Sequence, residues 1–235
     1  MAEIPEYVKK VLETLEAAGH EAWCVGGCVR DTLLGRVPED WDVTTSAMPE
    51  ETMAAFGQHA FPTGLQHGTV TVRADHNSVE VTTYRVDGTY HDHRRPDSVT
   101  FTRSLEEDLQ RRDFTANAIA MSLRGELRDP FGGQEDLRNG VLRCVGYPDQ
   151  RFQEDALRIL RGLRFAAVLG FAIDPATGES IHRNRELLGE IAAERIQVEL
   201  LKLLAGQNAA EVLRQYPDVV GVFWPEVHRL LYFQG

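Results

Sequence analysis

A chain of 235 residues of which 43% are hydrophobic can bury a sizeable core and fits one large or two modest domains, of which two are expected here. The formal net charge of −11 argues against a surface that is basic throughout, but lysine occurs only at Lys9, Lys10 and Lys202, so the cations are mostly arginine, the side chain suited to bidentate phosphate and base contacts. No apolar run is long enough to cross a membrane, Met1-Ala2-Glu3-Ile4 opens no signal peptide, and Cys24, Cys28 and Cys144 lack paired metal spacing; a cytoplasmic chain with reduced core thiols, no membrane partner and no zinc site is expected.

Val8, Val11, Leu12 and Leu15 recur at helical spacing and predict a packing helix over 5–18, ended by Gly19. The apolar run 22–25 ends at Gly26-Gly27, which opens a helix over 28–34; two glycines let backbone N–H groups approach a phosphate, and a helix start there favours an anion. Glu39-Asp40-Trp41-Asp42-Val43 then reads as a strand. Residues two apart share a strand face, so Asp40 and Asp42 can converge on one or two divalent cations while Trp41 turns into the core. Ser46 is the expected N-cap of a helix over 48–56. Turns follow at 61–64, then a strand near 69–72 and another over 78–85, with Val79, Val81 and Thr83 on one face and Glu80, Thr82 and Tyr84 on the other. Glu80 is either a solvated strand residue or the third carboxylate that metal-dependent phosphoryl transfer calls for.

The stretch 84–96 has a polar, Gly-containing loop composition, and its His91-Asp92-His93 is expected to be solvated rather than metal-bound. In Arg111-Arg112-Asp113-Phe114-Thr115-Ala116-Asn117-Ala118, an arginine can neutralise a triphosphate, and Asp113 and Asn117, four apart on a predicted helix, share a face that can bond ribose hydroxyls. Asp113 as a helix cap and Arg112 as a surface ion-pair partner is the competing explanation. A strand end and turn over 127–133, a helical turn over 134–138 and a last short strand over 141–145 precede a change to continuous helix patterning over 151–169, 175–188, 193–204 and 207–214, which places a domain boundary near Pro148. On the first of these helices Asp155 and Arg158 lie at i, i+3, with Arg161 and Arg164 continuing the ridge; a salt-bridged surface helix is the ordinary account of such a pattern.

The Gly-Gly, the Arg30-Asp31 pair and the Asp-x-Asp on the next strand, together with Val79-Glu80-Val81-Thr82-Thr83 and the Arg-Arg-Asp-Phe-Thr-x-Asn-Ala run, resemble the polymerase-β-like nucleotidyltransferase superfamily. The resemblance is to the class II branch containing CCA-adding tRNA nucleotidyltransferases and bacterial poly(A) polymerases, and it covers residues from about 22 to 205. It implies an α+β fold: a mixed-sheet nucleotidyltransferase head over 1–148 and an all-α helical neck over 149–230. It implies Mg²⁺ held by Asp40 and Asp42 with Glu80 as third carboxylate in a two-metal mechanism, and nucleotide binding by Gly26, Gly27, Arg30, Arg112, Asp113 and Asn117. It makes Asp155 and Arg158 a protein template for the incoming base, supported by Arg161 and Arg164. Cytosine and adenine can each donate a hydrogen bond to Asp155 and accept one from Arg158, whereas guanine and uracil present the reverse pattern.

The expected reaction is template-independent addition of CMP and AMP from CTP and ATP to an RNA 3′ end, with tRNA as the substrate and pyrophosphate released. Poly(A) addition is the close alternative, and a non-catalytic nucleotide- or RNA-binding module the distant one. The loop over 84–96 matches the place where the family holds a flexible loop used for the terminal adenosine. Family members continue into further helical domains, and residues 231–235 match the end of a protease-cleavage tag, so an engineered truncation is expected.

Overall fold

The computed structural model describes residues 3–88, 98–227 and 229. The His91-Asp92-His93 stretch, most of the polar loop expected over 84–96, and residues 231–235 lie outside them. The described residues divide into two compact units, one of residues 3–88 and 98–137, the other beginning at 138.

The first unit begins with α1 (Glu6–Ala17), whose buried face is Val8, Val11, Leu12 and Leu15 as the spacing requires. Next come β1 (Ala22–Val25), α2 (Gly27–Leu33), β2 (Asp42–Thr45) and α3 (Pro49–Phe56). The start of α3 differs from expectation: Met48 occupies the cap position, and its N–H donates to Glu51 Oε2 at 2.8 Å. Ser46 Oγ instead accepts the N–H of Glu21 at 2.9 Å, fixing the end of β2 beside the start of β1. β3 (Ala60–Gly64), β4 (Thr69–Ala74) and β5 (Asn77–Thr83) follow. The Pro-Thr-Gly signal in β3 reads as a turn, but the segment pairs antiparallel with β4 at the sheet edge, where a proline costs no ladder bond.

These strands join a seven-stranded sheet in the order β3-β4-β5-β2-β1-β8-β9, with β8 at Ala120–Met121 and β9 at Leu127–Arg128. β2 and β5 run parallel while their other partners are antiparallel. Val43, Val70, Val72, Val79 and Val81 form the inner face of the sheet, and α1 packs against β4 and β5. β6 (Arg85–Asp87) and β7 (Val99–Phe101) form a separate antiparallel pair, so the first residues of the expected loop are a strand: Arg85–Asp87 find partners that their polar composition does not reveal. α4 (Leu105–Gln110) is capped by Ser104, whose side chain accepts the N–H of Glu107, and α5 spans Gly133–Asn139.

In the second unit, β10 (Val141–Leu142) pairs in parallel with β11 (Ala172–Ile173). That pairing carries residues from 138 onward into the helical unit and puts the division before the expected position near Pro148. The helices are α6 (Pro148–Glu154), α7 (Leu157–Leu169), α8 (Pro175–Asn184), α9 (Ala193–Leu204), α10 (Ala209–Gln215) and α11 (Pro217–Val220). α7 ends at Gly170, whose φ of 72° is the left-handed geometry that a glycine adopts without strain. α7 and α9 pack closely. At Gly206, just beyond α9, an added Cβ would lie 2.7 Å from the carbonyl carbon of Ala167. Gly206→Ala should therefore destabilise the protein by about 1–3 kcal/mol, read as a lower urea midpoint. Among the described residues no helix is long and apolar enough to cross a membrane.

Candidate active site

In the first unit the site is built on the turn between β1 and α2. Gly26 has φ 83° and ψ −139°, a conformation that a side chain would strain, and Gly27 is the first residue of α2. A Cβ on Gly27 would lie 3.3 Å from Arg30 Nη2, so the missing side chain leaves the guanidinium room beside the turn. Arg30 is held from two sides: its Nε donates to Asp31 Oδ1 at 2.9 Å and its Nη1 to Asn117 Oδ1 at 2.8 Å. Asn117 Nδ2 donates in turn to Asp113 Oδ1 at 3.2 Å.

Asp113 and Asn117 do meet, but not along an α-helix. α4 stops at Gln110, and Thr115–Asn117 form one 3-10 turn. Both side chains are buried at 7% exposure, and Asp113 Oδ1 also takes the N–H of Phe114 at 2.8 Å. Helix propensity fails here because the short Asp side chain competes for backbone N–H groups, which favours a turn.

The acids are arranged by strand register. Asp42 and Glu80 are direct partners on the parallel strands β2 and β5, so their side chains leave the same face at the same level, on strands about 4.8 Å apart. Both are exposed, whereas Val43 and Val81 beside them are buried. Asp40 departs from expectation: β2 starts at Asp42, and Asp40 lies in an exposed bend just before it. It is near enough to act on Asp42 electrostatically but does not share the strand face by alternation. Asp42 reaches solvent, yet the protein packed around its carboxyl still strips part of its hydration. Its carboxyl is pushed up to about 6, first by burial and then by the charges of Glu80 and Asp40, against the opposing pull of Arg112.

Two carboxylates held at one level, with a third close by and their repulsion only partly offset by Arg112, form an oxygen donor set of the kind hard divalent cations accept. Among the described residues no three His, Cys, Asp or Glu side chains already surround one point. Magnesium suits such an open arrangement, since it needs only one or two carboxylates and fills its remaining positions with water and phosphate oxygens.

The raised Asp42 carboxyl has a consequence for stability. A carboxyl whose folded value exceeds its unfolded value near 3.9 favours the folded state at low pH, and that contribution declines as pH rises through the window from about 4 to 6. In metal-free buffer Asp42→Asn should thus melt higher than the parent above about pH 6.5, with the gap closing below about pH 4. Thermal unfolding followed by circular dichroism at both pH values measures this.

In the second unit the expected single helix bearing Asp155 is broken. α6 ends at Glu154, Asp155 is extended at φ −138° and ψ 105°, and α7 begins at Leu157. Asp155 and Arg158 therefore do not share one helix face as i, i+3 neighbours. The cause is Asp155 itself: its Oδ1 accepts the N–H of Leu157 at 3.1 Å, capping α7 rather than continuing α6. Its Oδ2 faces Arg195 Nη2 at 3.3 Å. Arg158 Nη1 donates to Glu154 Oε2 at 2.7 Å. Arg164 Nε lies 2.8 Å from Glu199 Oε2, and the guanidinium groups of Arg161 and Arg164 sit 5.2 and 4.2 Å from the Phe165 ring centre.

This is a half-buried ladder of arginines and acids, not a solvated surface face. Glu154, Arg195 and Glu199 belong to it and were missed by sequence reasoning. Glu154 adjoins Asp155 in sequence and was within reach. Arg195 and Glu199 come from α9, and no local spacing signals a contact with a residue 40 positions away.

Residues 22–143 match the family profile described as the poly A polymerase head domain, and residues 170–217 match one described as the probable RNA and SrmB-binding site of polymerase A. A CCA-adding enzyme of Lactiplantibacillus plantarum is 52% identical over 200 residues, which is 85% of this chain and 49% of that protein. One from Geobacillus thermodenitrificans is 53% identical over 203 residues, covering 86% of this chain and 50% of its own length. The crystal structure of Bacillus stearothermophilus CCA-adding enzyme in complex with CTP superposes with a TM-score of 0.84 at 46% identity, covering 91% of this chain and 51% of that one. The chain spans about half the length of the relatives it matches. With the profile covering more than half of its residues, the chain belongs to the poly A polymerase head-domain family.

Proposed function

We propose that this chain is the nucleotide-adding part of a tRNA nucleotidyltransferase, transferring CMP and AMP from CTP and ATP to a tRNA 3′ end and releasing pyrophosphate. The observation that carries this reading is the register pairing of Asp42 with Glu80 on parallel strands, with Arg112 acting on Asp42 and lying beside the glycine turn. Relatives about half identical to this chain bear the name CCA-adding enzyme, which favours CCA addition over poly(A) addition.

The chain's residues divide the work. Gly26 and Gly27 open room for backbone N–H groups to face phosphate oxygens, and Arg30 and Arg112 bring the positive charge. Asp113 and Asn117 fix Arg30 and would bond the ribose hydroxyls. Asp42 and Glu80, with Asp40 close by, would hold magnesium. When bound there, magnesium would lower the pKa of the RNA 3′-hydroxyl and neutralise the leaving pyrophosphate. Asp155 would accept from the base amino group while Arg158 donates to the ring nitrogen beside it. Arg195 and Glu154 hold those two groups, and Arg164 ties the helix that carries Arg158 to Glu199 of α9, with Arg161 and Arg164 both lying against Phe165. Cys24, Cys28 and Cys144 are buried and form no disulfide, which suits the reducing cytoplasm as the place of action.

The test supplies the full-length protein with magnesium, the four triphosphates and either tRNA lacking its 3′ CCA or a generic RNA primer. Addition that stops after CCA on tRNA is expected. Unlimited adenylate addition to either RNA would assign poly(A) synthesis instead, and no incorporation would leave a binding module.

A further inference from the structure

Asp108, in the first turn of α4, is fully buried and lies outside the groups assigned above. Its Oδ2 accepts from Thr44 Oγ1 at 3.0 Å and from Arg112 Nη2 at 3.2 Å. Its Oδ1 accepts from the Arg85 N–H at 3.1 Å and from Arg111 Nε at 3.3 Å. Burial pushes this carboxyl up, but the guanidinium groups of Arg112 and Arg111 and the other donors outweigh it and hold the group below the usual carboxylate range. A buried ion pair is weak support for a fold, since packed apolar side chains often do as well, so stability alone does not account for a charge placed here.

The geometry around Arg112 supplies another account. Nη2 of Arg112 is on Asp108, and Nη1 would be 3.8 Å from a Cβ placed on Gly26, so the guanidinium spans from the buried acid to the glycine turn. Its Nε is buried without a hydrogen-bond partner among the described residues, which leaves Asp108 to set its orientation. A second acid, Asp42, feels the charge of Arg112. Thr44, which fixes Asp108 Oδ2, stands two residues after Asp42 on β2.

We propose that Asp108 is a positioning residue: it holds Arg112 back from Asp42 and aims its free edge at the triphosphate beside Gly26. Thr44 ties that carboxylate to the strand bearing Asp42, so the phosphate-binding arginine and the cation-binding acid keep a set separation. This rests on the reading of the glycine turn, Arg112 and Asp42 as a nucleotide site.

The test is calorimetric titration of CTP with magnesium into the parent, Asp108→Asn, Arg112→Ala and the double variant, with urea melts on each. Asp108→Asn should weaken CTP binding about tenfold, the effect of losing one well-aimed charged contact. In the Arg112→Ala background the same change should cost nothing further, because Asp108 acts through that arginine. Additive losses, or unchanged affinity in Asp108→Asn, overturn the proposal. Thr44→Val keeps the charge but removes one of the two donors on Oδ2 and should weaken binding about threefold, whereas Thr44→Ser, which keeps the hydroxyl, should bind as the parent does. Should Asp108→Asn fail to fold, parental affinity in Thr44→Val overturns the proposal by itself. A parent that binds no CTP defeats the nucleotide-site reading, whereas a parent that needs Arg112 but is indifferent to Asp108 and Thr44 defeats only this inference.

Discussion

Replacing Asp42 by alanine should abolish magnesium-dependent nucleotide incorporation, by roughly 10³-fold or more, while leaving the fold intact. The loss follows from register. Asp42 is the acid that β2 places level with Glu80, and no other acid on that strand can take its place. The fold should survive because the side chain is exposed and its charge is disfavoured in the folded state, so removal relieves repulsion with Glu80 and Asp40. Glu80→Ala should reduce incorporation less if Asp42 is the shared ligand, and Asp40→Ala less again, since Asp40 lies off the strand. Primer-extension rates at saturating CTP, with urea midpoints as the control, measure all three. Incorporation by Asp42→Ala within a few-fold of the parent would remove the cation proposal.

Loss of base choice is the second large effect. A guanine or uracil at the Asp155 and Arg158 pair would leave two polar groups mismatched, each costing about 1–3 kcal/mol, which amounts to a discrimination of roughly 30-fold to 10⁴-fold. Arg158→Ala removes the donor and should bring GTP and UTP within about tenfold of CTP. Asp155→Ala should do likewise but also strips the cap from α7, so a melting loss of about 1 kcal/mol is expected with it. Asp155→Asn separates the two roles, because an amide oxygen still caps Leu157 while the amide nitrogen now donates toward guanine O6 or uracil O4. Selectivity should shift toward GTP and UTP without that melting loss. Competition among the four triphosphates in single-nucleotide extension reads the shift, and unchanged ratios in all three variants would discard the template assignment.

Both effects depend on features legible in the sequence to different degrees. The apolar spacing of α1, the alternation that buries Val79 and Val81 while exposing Glu80, and the glycine turn before α2 are short-range patterns, and the structure carries each of them. The same local logic misjudged Asp40, Asp113 and Asp155. In the two helical cases an aspartate took up backbone N–H groups and broke or displaced the expected helix, since a short carboxylate offers the chain an alternative to helical bonding. At Asp40 the strand began two residues later than alternation implies. The strand Val141–Leu142 was foreseen as a strand, but its partner in the helical unit was not, because strand pairing is decided across the chain.

The sequence by itself located the candidate acids and arginines and the strands and helices that periods of two and 3.6 mark along a local stretch, and the resemblance of its motifs to the nucleotidyltransferases supplied the expected chemistry and the α+β head. Only the tertiary structure decided that Asp42 stands level with Glu80, that Asp108 grips Arg112 from behind, and that Arg195 reaches Asp155 from another helix. Those contacts join segments far apart along the chain, and their geometry is set by sheet register and helix packing, which no local pattern encodes.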